Sequence, residues 1–383
     1  MAEIVAAARP LLDMRVLHIN STFHGGGVAG MLRSLLPLMV DLGLDADWTL
    51  LFGTPELFRI TKGLHNALQG EGVEFGGDDV RLYHEVNEFF ACHTPLFHDA
   101  VVVHDPQPLP MIKYVHKDCP WIWRCHIDLS APAPQAWELI KPLVLQYDAG
   151  VVSSEAFRKP DLPFPTHIIP PAIDPFSPIN RELAEKDIAA KLAQYGIPQD
   201  KPLLLQVSRF DKWKDPLGVL EVYRRVKEQA DCRLVMLGNM AADDPEAPQI
   251  YAQVEEQAAE LDDVHLITQT DELLVNALQR VAAVVVQLSL REGFGLTVSE
   301  ALWKGTPVVA TRVGGIPLQV LDGETGYLVA PRDYQGMAER VLELLTDPGL
   351  RERLGQAGRE HVRARFLMTR LLLDWLNLLG KLL

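Results

Sequence analysis

The sequence predicts an α/β fold built as two doubly wound parallel sheets, and three observations carry that expectation. At 383 residues the chain is longer than one hydrophobic core usually grows, so two domains are expected. Short apolar runs alternate with stretches of helical periodicity, the pattern of a parallel sheet covered on both faces. The alternation breaks at a proline-rich passage, 164–178 (FPTHIIPPAIDPFSP), and then restarts.

The elements follow in order. An apolar strand at 15–20 leads through a glycine-rich turn into a helix at 28–42, closed by Gly43. Further strands are expected at 48–52, 100–104, 121–125 and 149–153. The proline-rich passage is the hinge candidate. The second series has strands at 203–207, 233–237, 265–267, 283–287 and 308–311, with helices between them. Residues 333–383 read as three helices, the last leucine-rich and able to fold back over the first domain. This gives domains at 1–172 and 173–365, with a final helix at 366–383. In such sheets ligands sit beyond the carboxyl ends of the strands, so two of them facing a cleft can hold a donor on one side and an acceptor on the other.

Composition narrows the class. Apolar residues make up 48% of the chain, yet no run approaches the ~18 to 20 needed to span a membrane. The amino terminus has no basic start ahead of its alanines, which argues against a secretory signal and for the cytoplasm. A net charge of −15 disfavours attraction to nucleic acid or an acidic membrane surface. The four cysteines, Cys92, Cys119, Cys125 and Cys232, form no CxxC pair or zinc-like spacing, so reduced, buried thiols are expected.

The most informative motif is VVVQLSLREGFGLTVSEALWKG, from Val284 to Gly305. A strand ends near Gln287, a loop carries Glu292, Gly293, Phe294 and Gly295, and a helix starts near Thr297. The glycines let backbone N–H groups approach a ligand, and the helix N-terminus favours a phosphate. Glu292 and Glu300 suit sugar hydroxyls, although Thr297 to Glu300 also fits a capping box in which Glu300 only caps its helix. After the first strand of the second series, Arg209 and Lys214 stand close enough for both cations to reach one diphosphate; as a pair alone they fit an uncommitted surface pair better, and their place at a strand's carboxyl end favours the diphosphate.

Three turns in the first half are candidates too. NSTFHGGGVAG, from Asn20 to Gly30, formally satisfies GxGxxG, but the second strand ends LFGTP, without the acidic residue that a nicotinamide cofactor's ribose needs. Its glycines suit a phosphate or sugar, or simply a tight turn. WRCHIDLS places His126 and Asp128 just past a strand, where a structural histidine is the alternative. His104-Asp105-Pro106-Gln107 marks another strand exit, where Asp105 would otherwise cap the next helix. Asp45-Ala46-Asp47 is a formal DxD ahead of the second strand, at the wrong edge of the sheet for a metal, so no metal site is expected.

With these residues in hand, the chain resembles the retaining family-four glycosyltransferases, whose hallmark is two glutamates eight positions apart, here Glu292 and Glu300. HINSTFHGGGVAG, FRITKGLHNALQG, VVVHDPQPLP, WIWRCHIDLS, PPAIDPFSP, VSRFDKWKDP and REGFGLTVSEALWKG resemble the trehalose glycosyltransferring synthases more narrowly, in matching order. The resemblance implies the GT-B architecture: an N-terminal Rossmann-like acceptor domain and a C-terminal Rossmann-like donor domain. It implies that Arg209 and Lys214 bind the donor diphosphate, that Glu300 holds the ribose, and that Glu292 and His126 meet the transferred glucose. Gly26, Gly27, Phe294, Gly295, Leu296 and Thr297 would line the donor, and Asn20, Asp105, Gln107 and Asp128 the acceptor. Gly30 stands where those synthases usually carry a glutamate.

The expected reaction transfers glucose from ADP-, UDP- or GDP-glucose to glucose, giving α,α-trehalose, with no metal or other cofactor. The short terminal extension and the leucine-rich final helix leave room for a homodimer. Rival readings are a sucrose- or glucosylglycerate-type synthase, a non-catalytic nucleotide-sugar sensor and a nicotinamide oxidoreductase.

Overall fold

The computed structural model describes residues 1–23, 26–238 and 246–382. The chain divides into two compact units, Met1–Pro171 together with Met368–Leu383, and Ala172–Leu367. Each is built on one six-stranded sheet whose strand pairs are all parallel.

The first sheet contains β1 (Arg15–Asn20), β2 (Asp45–Leu50), β3 (Ala100–His104), β4 (Trp121–Arg124), β5 (Ala149–Val152) and β6 (Thr166–Ile168), in the order β2-β1-β3-β4-β5-β6. Its inner strands are mostly apolar, as expected where helices cover both faces, and every residue of β3 and β4 is buried, His104 and Arg124 included. The second sheet contains β7 (Leu203–Val207), β8 (Arg233–Leu237), β9 (Val264–Ile267), β10 (Val284–Gln287), β11 (Val308–Thr311) and β12 (Gly326–Val329), in the order β12-β11-β10-β7-β8-β9. Its core is aliphatic, with Leu205, Val235, Val285 and Val308 fully buried.

Three expectations shift. The second strand starts at Asp45, because Arg15 of β1 pairs with Asp45 and the register runs from there. Asp45 and Asp47 therefore lie within β2, an edge strand whose outward residues can be polar, and Asp47 Oδ2 sits 3.0 Å from His98 Nε2. The proline-rich passage is not purely a connector: it holds β6, and the division between the units falls at Pro171 and Ala172 within it. β12 is the third difference, a four-residue edge strand after a turn. The three expected helices close the chain at Tyr334–Thr346, Pro348–Arg365 and Met368–Leu382, and the last packs on helices Ala2–Ala8 and Gly27–Asp41 of the first unit. No helix among the described residues is long and apolar enough to cross a membrane.

Candidate active site

In the second unit the chain leaves β7, builds outward through β8 and β9, and returns to the other side of β7 as β10. The sheet therefore switches direction between β7 and β10, the place where doubly wound sheets bind ligands. After β7, Asp211 accepts a hydrogen bond from Trp213 N at 2.8 Å and caps the single turn Lys212–Lys214. Asp215, at φ +48°, caps helix Pro216–Lys227 through Gly218 N. Leu290 N, past β10, donates to Trp213 O at 2.7 Å, so the two strand exits are tied by backbone.

That tie sets the side chains. Lys214 Nζ lies 2.5 Å from Glu292 Oε2, which also accepts from Ser289 Oγ at 3.0 Å and Gln287 Nε2 at 3.4 Å. Glu292 is only 7% exposed. Three donors on one carboxylate oxygen fix the orientation of this glutamate. Arg209 Nη2 stands 3.5 Å from Asp211 Oδ2.

The glycine loop after Glu292 is held from behind. A Cβ on Gly314, at φ +53°, would come within 1.6 Å of Glu292 O, and one on Gly315 within 2.8 Å of Phe294 Cα. Gln319 Nε2 donates to Phe294 O, and Ser299 Oγ donates to Gln319 Oε1. Gly295, left-handed at φ +82°, then starts helix Leu296–Trp303 without a side-chain cap. This overturns the capping-box reading: the helix begins at Leu296, one residue before Thr297, with Gly295 at the N-cap, so Glu300 lies inside it rather than at its entry.

Glu300 is 8% exposed, and its Oε2 has no hydrogen-bond partner among the described residues. Burial pushes its carboxyl above the usual range. One turn on, burial pulls Lys304 down, while its ammonium donates to Asn180 Oδ1 and Gln279 Oε1 at 2.9 Å each. A buried carboxylate oxygen without a donor is costly, and a ligand hydroxyl would relieve that cost.

The first unit has its own switch, between β1 and β3. Gly26, at φ +81°, precedes helix Gly27–Asp41, but Gly25 lies outside the described residues, so the full GxGxxG turn is only partly placed. Asn20 is engaged at both ends of its amide: Nδ2 donates to Thr22 O at 2.8 Å and Oδ1 accepts from Trp48 Nε1 at 2.7 Å. Asp105 does not cap the following turn as one reading had it. Held at φ +62°, it accepts from His126 N at 2.7 Å, and burial lifts its carboxyl to about 6. Gln107 offers its carbonyl to Asn87 Nδ2 at 3.1 Å. Asp128 is 1% exposed and accepts from Ser130 N at 2.9 Å, closing its own turn. The His126 ring bonds His104 Nδ1 through Nε2 at 2.9 Å, and burial, with Arg124 nearby, keeps both rings neutral.

Residues 18–159 match the trehalose synthase N-terminal domain model, and residues 187–361 match the model for glycosyl transferases group 1. The chain is 44% identical to the trehalose synthase of Rubrobacter xylanophilus over all of this chain and 94% of that protein. It is 41% identical to that of Thermococcus litoralis over 99% and 93%. Among solved structures, the UDP-forming α,α-trehalose-phosphate synthase of Burkholderia xenovorans, in complex with glucose-6-phosphate, superposes with a TM-score of 0.78 at 16% identity, over 96% of this chain and 99% of that one; at this identity it shows the GT-B fold. Two doubly wound units, glutamates on the loop and helix after β10, and these alignments converge: the chain belongs to the trehalose synthase family of glycosyltransferases.

Proposed function

We propose that the protein makes α,α-trehalose from a nucleoside-diphosphate glucose and glucose, with retention at the transferred carbon. The observation that carries the reading is the Lys214–Glu292 pair at the β7/β10 switch, next to the N-terminus of helix Leu296–Trp303. That site offers cations and a helix dipole to a diphosphate, and fixed carboxylates to hydroxyls.

In this reading Arg209 and Lys214 hold the donor diphosphate, Glu292 orients the glucose, and Glu300 accepts from the ribose. The bond from the glucose anomeric carbon to the phosphate oxygen breaks. A bond to the anomeric oxygen of the second glucose forms on the same face, and that hydroxyl's proton passes to the departing phosphate. No protein carboxylate need act as nucleophile, unlike the ~5 Å carboxylate pair of retaining hydrolases. His126 meets the transferred glucose, with Asn20, Asp105, Gln107 and Asp128 on the acceptor side. In this reading the two cations neutralise the departing diphosphate and no metal is required.

The test is product analysis by NMR with glucose and, separately, ADP-, UDP- and GDP-glucose, in the presence of chelator. An α,α-1,1-linked disaccharide plus free nucleoside diphosphate is the expected result. Trehalose formed from maltose with no nucleotide present, or from α-glucose 1-phosphate and glucose with release of inorganic phosphate, would overturn the donor assignment. A different disaccharide from the same mixture would overturn the acceptor.

A further inference from the structure

Three imidazoles form a line across neighbouring strands of the first sheet. His18 of β1 bonds through Nδ1 to Nε2 of His104 at 3.0 Å, and His104 bonds through Nδ1 to Nε2 of His126 at 2.9 Å. His18 and His104 are 0% and 1% exposed. The His104 and His126 rings are nearly coplanar, 12° apart. A neutral imidazole carries one N–H and one lone pair, so a chain of three neutral rings has only two proton orders: every ring protonated on Nδ1, or every ring protonated on Nε2.

The buried end chooses between them. His18 Nε2 and Trp375 Nε1 are both buried without a hydrogen-bond partner among the described residues, and the two rings meet edge to face with centroids 5.7 Å apart. Indole nitrogen is a donor and never an acceptor. With the proton on His18 Nε2, the two adjoining rings would each bury an orphan N–H. With it on Nδ1, only the indole N–H is left orphaned, and His18 Nε2 buries a lone pair instead; orphaned buried N–H groups are the rarer kind. No carboxylate competes for this choice in the described contacts: Asp105 takes the backbone N–H of His126, not its ring. The Arg124 guanidinium, bonded to Ser153 Oγ at 3.2 Å, lies close enough to disfavour a second proton on His104 or His126.

We propose that His18 and His104 are positioning residues that hold His126 in the tautomer with its proton on Nδ1, so that this ring offers an N–H donor, and not a lone pair, to an oxygen of the sugar. The inference rests on the reading that His126 meets the transferred glucose. Such a ring donates to a hydroxyl or to the ring oxygen and cannot serve as a base through Nδ1. That accords with the proposed reaction, in which the acceptor's proton passes to the departing phosphate.

The test is a long-range proton–nitrogen correlation spectrum of the full protein labelled with nitrogen-15 histidine, assigned by single histidine variants. His18, His104 and His126 should each show a protonated Nδ1 and a bare Nε2. Protonated Nε2 on these rings, or rapid averaging of the two forms at His126, would overturn the proposal. His18→Phe removes the end that selects the order while leaving His126 in place. It should give mixed tautomers at His126 and lower kcat about 3- to 10-fold with donor KM nearly unchanged, and His18→Asn, which returns a donor near the Nδ1 position, should recover most of the loss. An unaltered His126 tautomer in His18→Phe would also sink the idea. The spectrum stands apart from the reaction: failure to make trehalose with the expected tautomers removes the proposed function alone, whereas trehalose synthesis with the opposite tautomers removes this inference alone.

Discussion

Lys214 and Glu292 are a buried pair, their side chains 17% and 9% exposed, and a pair so placed costs more to break than it gains by being there. Lys214→Ala would leave the Glu292 charge with only Ser289 and Gln287 as donors. It is expected to lower stability by about 3 kcal/mol. Adding Glu292→Gln to that variant should restore more than about 1 kcal/mol in a denaturant series, and simple additivity of the two changes would count against the coupling. Asp105 makes a prediction in pH. Burial raises its carboxyl from 3.8 to about 6, so the folded protein retains there a proton that the unfolded chain releases. The stability this contributes is full below the ordinary value and is lost as pH rises through about 6. Asp105→Asn keeps an oxygen for His126 N and tolerates φ +62°, yet removes the buried charge. The variant should gain about 1–2 kcal/mol at pH 8 and little at pH 4, and an equal gain at both would show that the charge is not the cause.

At the scale of elements, the loop from Glu292 to Gly295 is shaped by what lies behind it. Gly314→Ala would drive a methyl into the Glu292 carbonyl at a backbone angle that resists a side chain, so the loop must move. Donor binding, measured by calorimetry, should fall at least about 30-fold while the thermal transition persists; unchanged affinity would mean that the loop's position is not what binds the donor. This backing was not legible in the sequence, because nothing in the spacing of Gly314, Gly315 and Gln319 places them behind the Glu292 loop. The loop itself was legible, because a buried valine strand, a glycine turn and a helix follow one another without interruption. Thr297 to Glu300 misled by fitting a capping box in spacing, while the left-handed Gly295 had already begun the helix. β6 and β12 escaped because strands of three and four residues at a sheet edge carry no long apolar run. His18 escaped for the opposite reason: one polar residue inside an apolar strand leaves no periodic signal, and its role appears only when β3 and β4 bring His104 and His126 alongside.

For the whole molecule, the consequential fact is that the chain's last helix belongs to the unit that the chain builds first. It leaves the first unit at Pro171, completes the second by Leu367, and returns as helix Met368–Leu382. That helix buries Leu371, Leu372, Trp375, Leu376, Leu378 and Leu379, and Arg370 donates to the carbonyls of Pro170 and Pro171 at 2.7 and 2.9 Å. Six large apolar side chains at about 1.5–3 kcal/mol each amount to on the order of 10 kcal/mol, as much as the net stability of a typical domain. A protein ending at Leu367 should therefore lose the cooperative unfolding of residues 1–171, with their amides unprotected in hydrogen exchange, while residues 172–367 keep a separate transition because their sheet is complete. The truncated protein should still bind nucleoside diphosphate through the β7/β10 switch and should transfer no glucose. Restoring 368–383 as a free peptide should return protection first to the helices it packs on, Ala2–Ala8 and Gly27–Asp41, and to β1 beside Trp375. If residues 1–171 stayed protected without it, their core would be self-sufficient and the returning helix only a cover. If they do not, the first unit can fold only after helix Met368–Leu382 has been made, and the order of synthesis lets the sheet of the second unit form before the unit that carries His126.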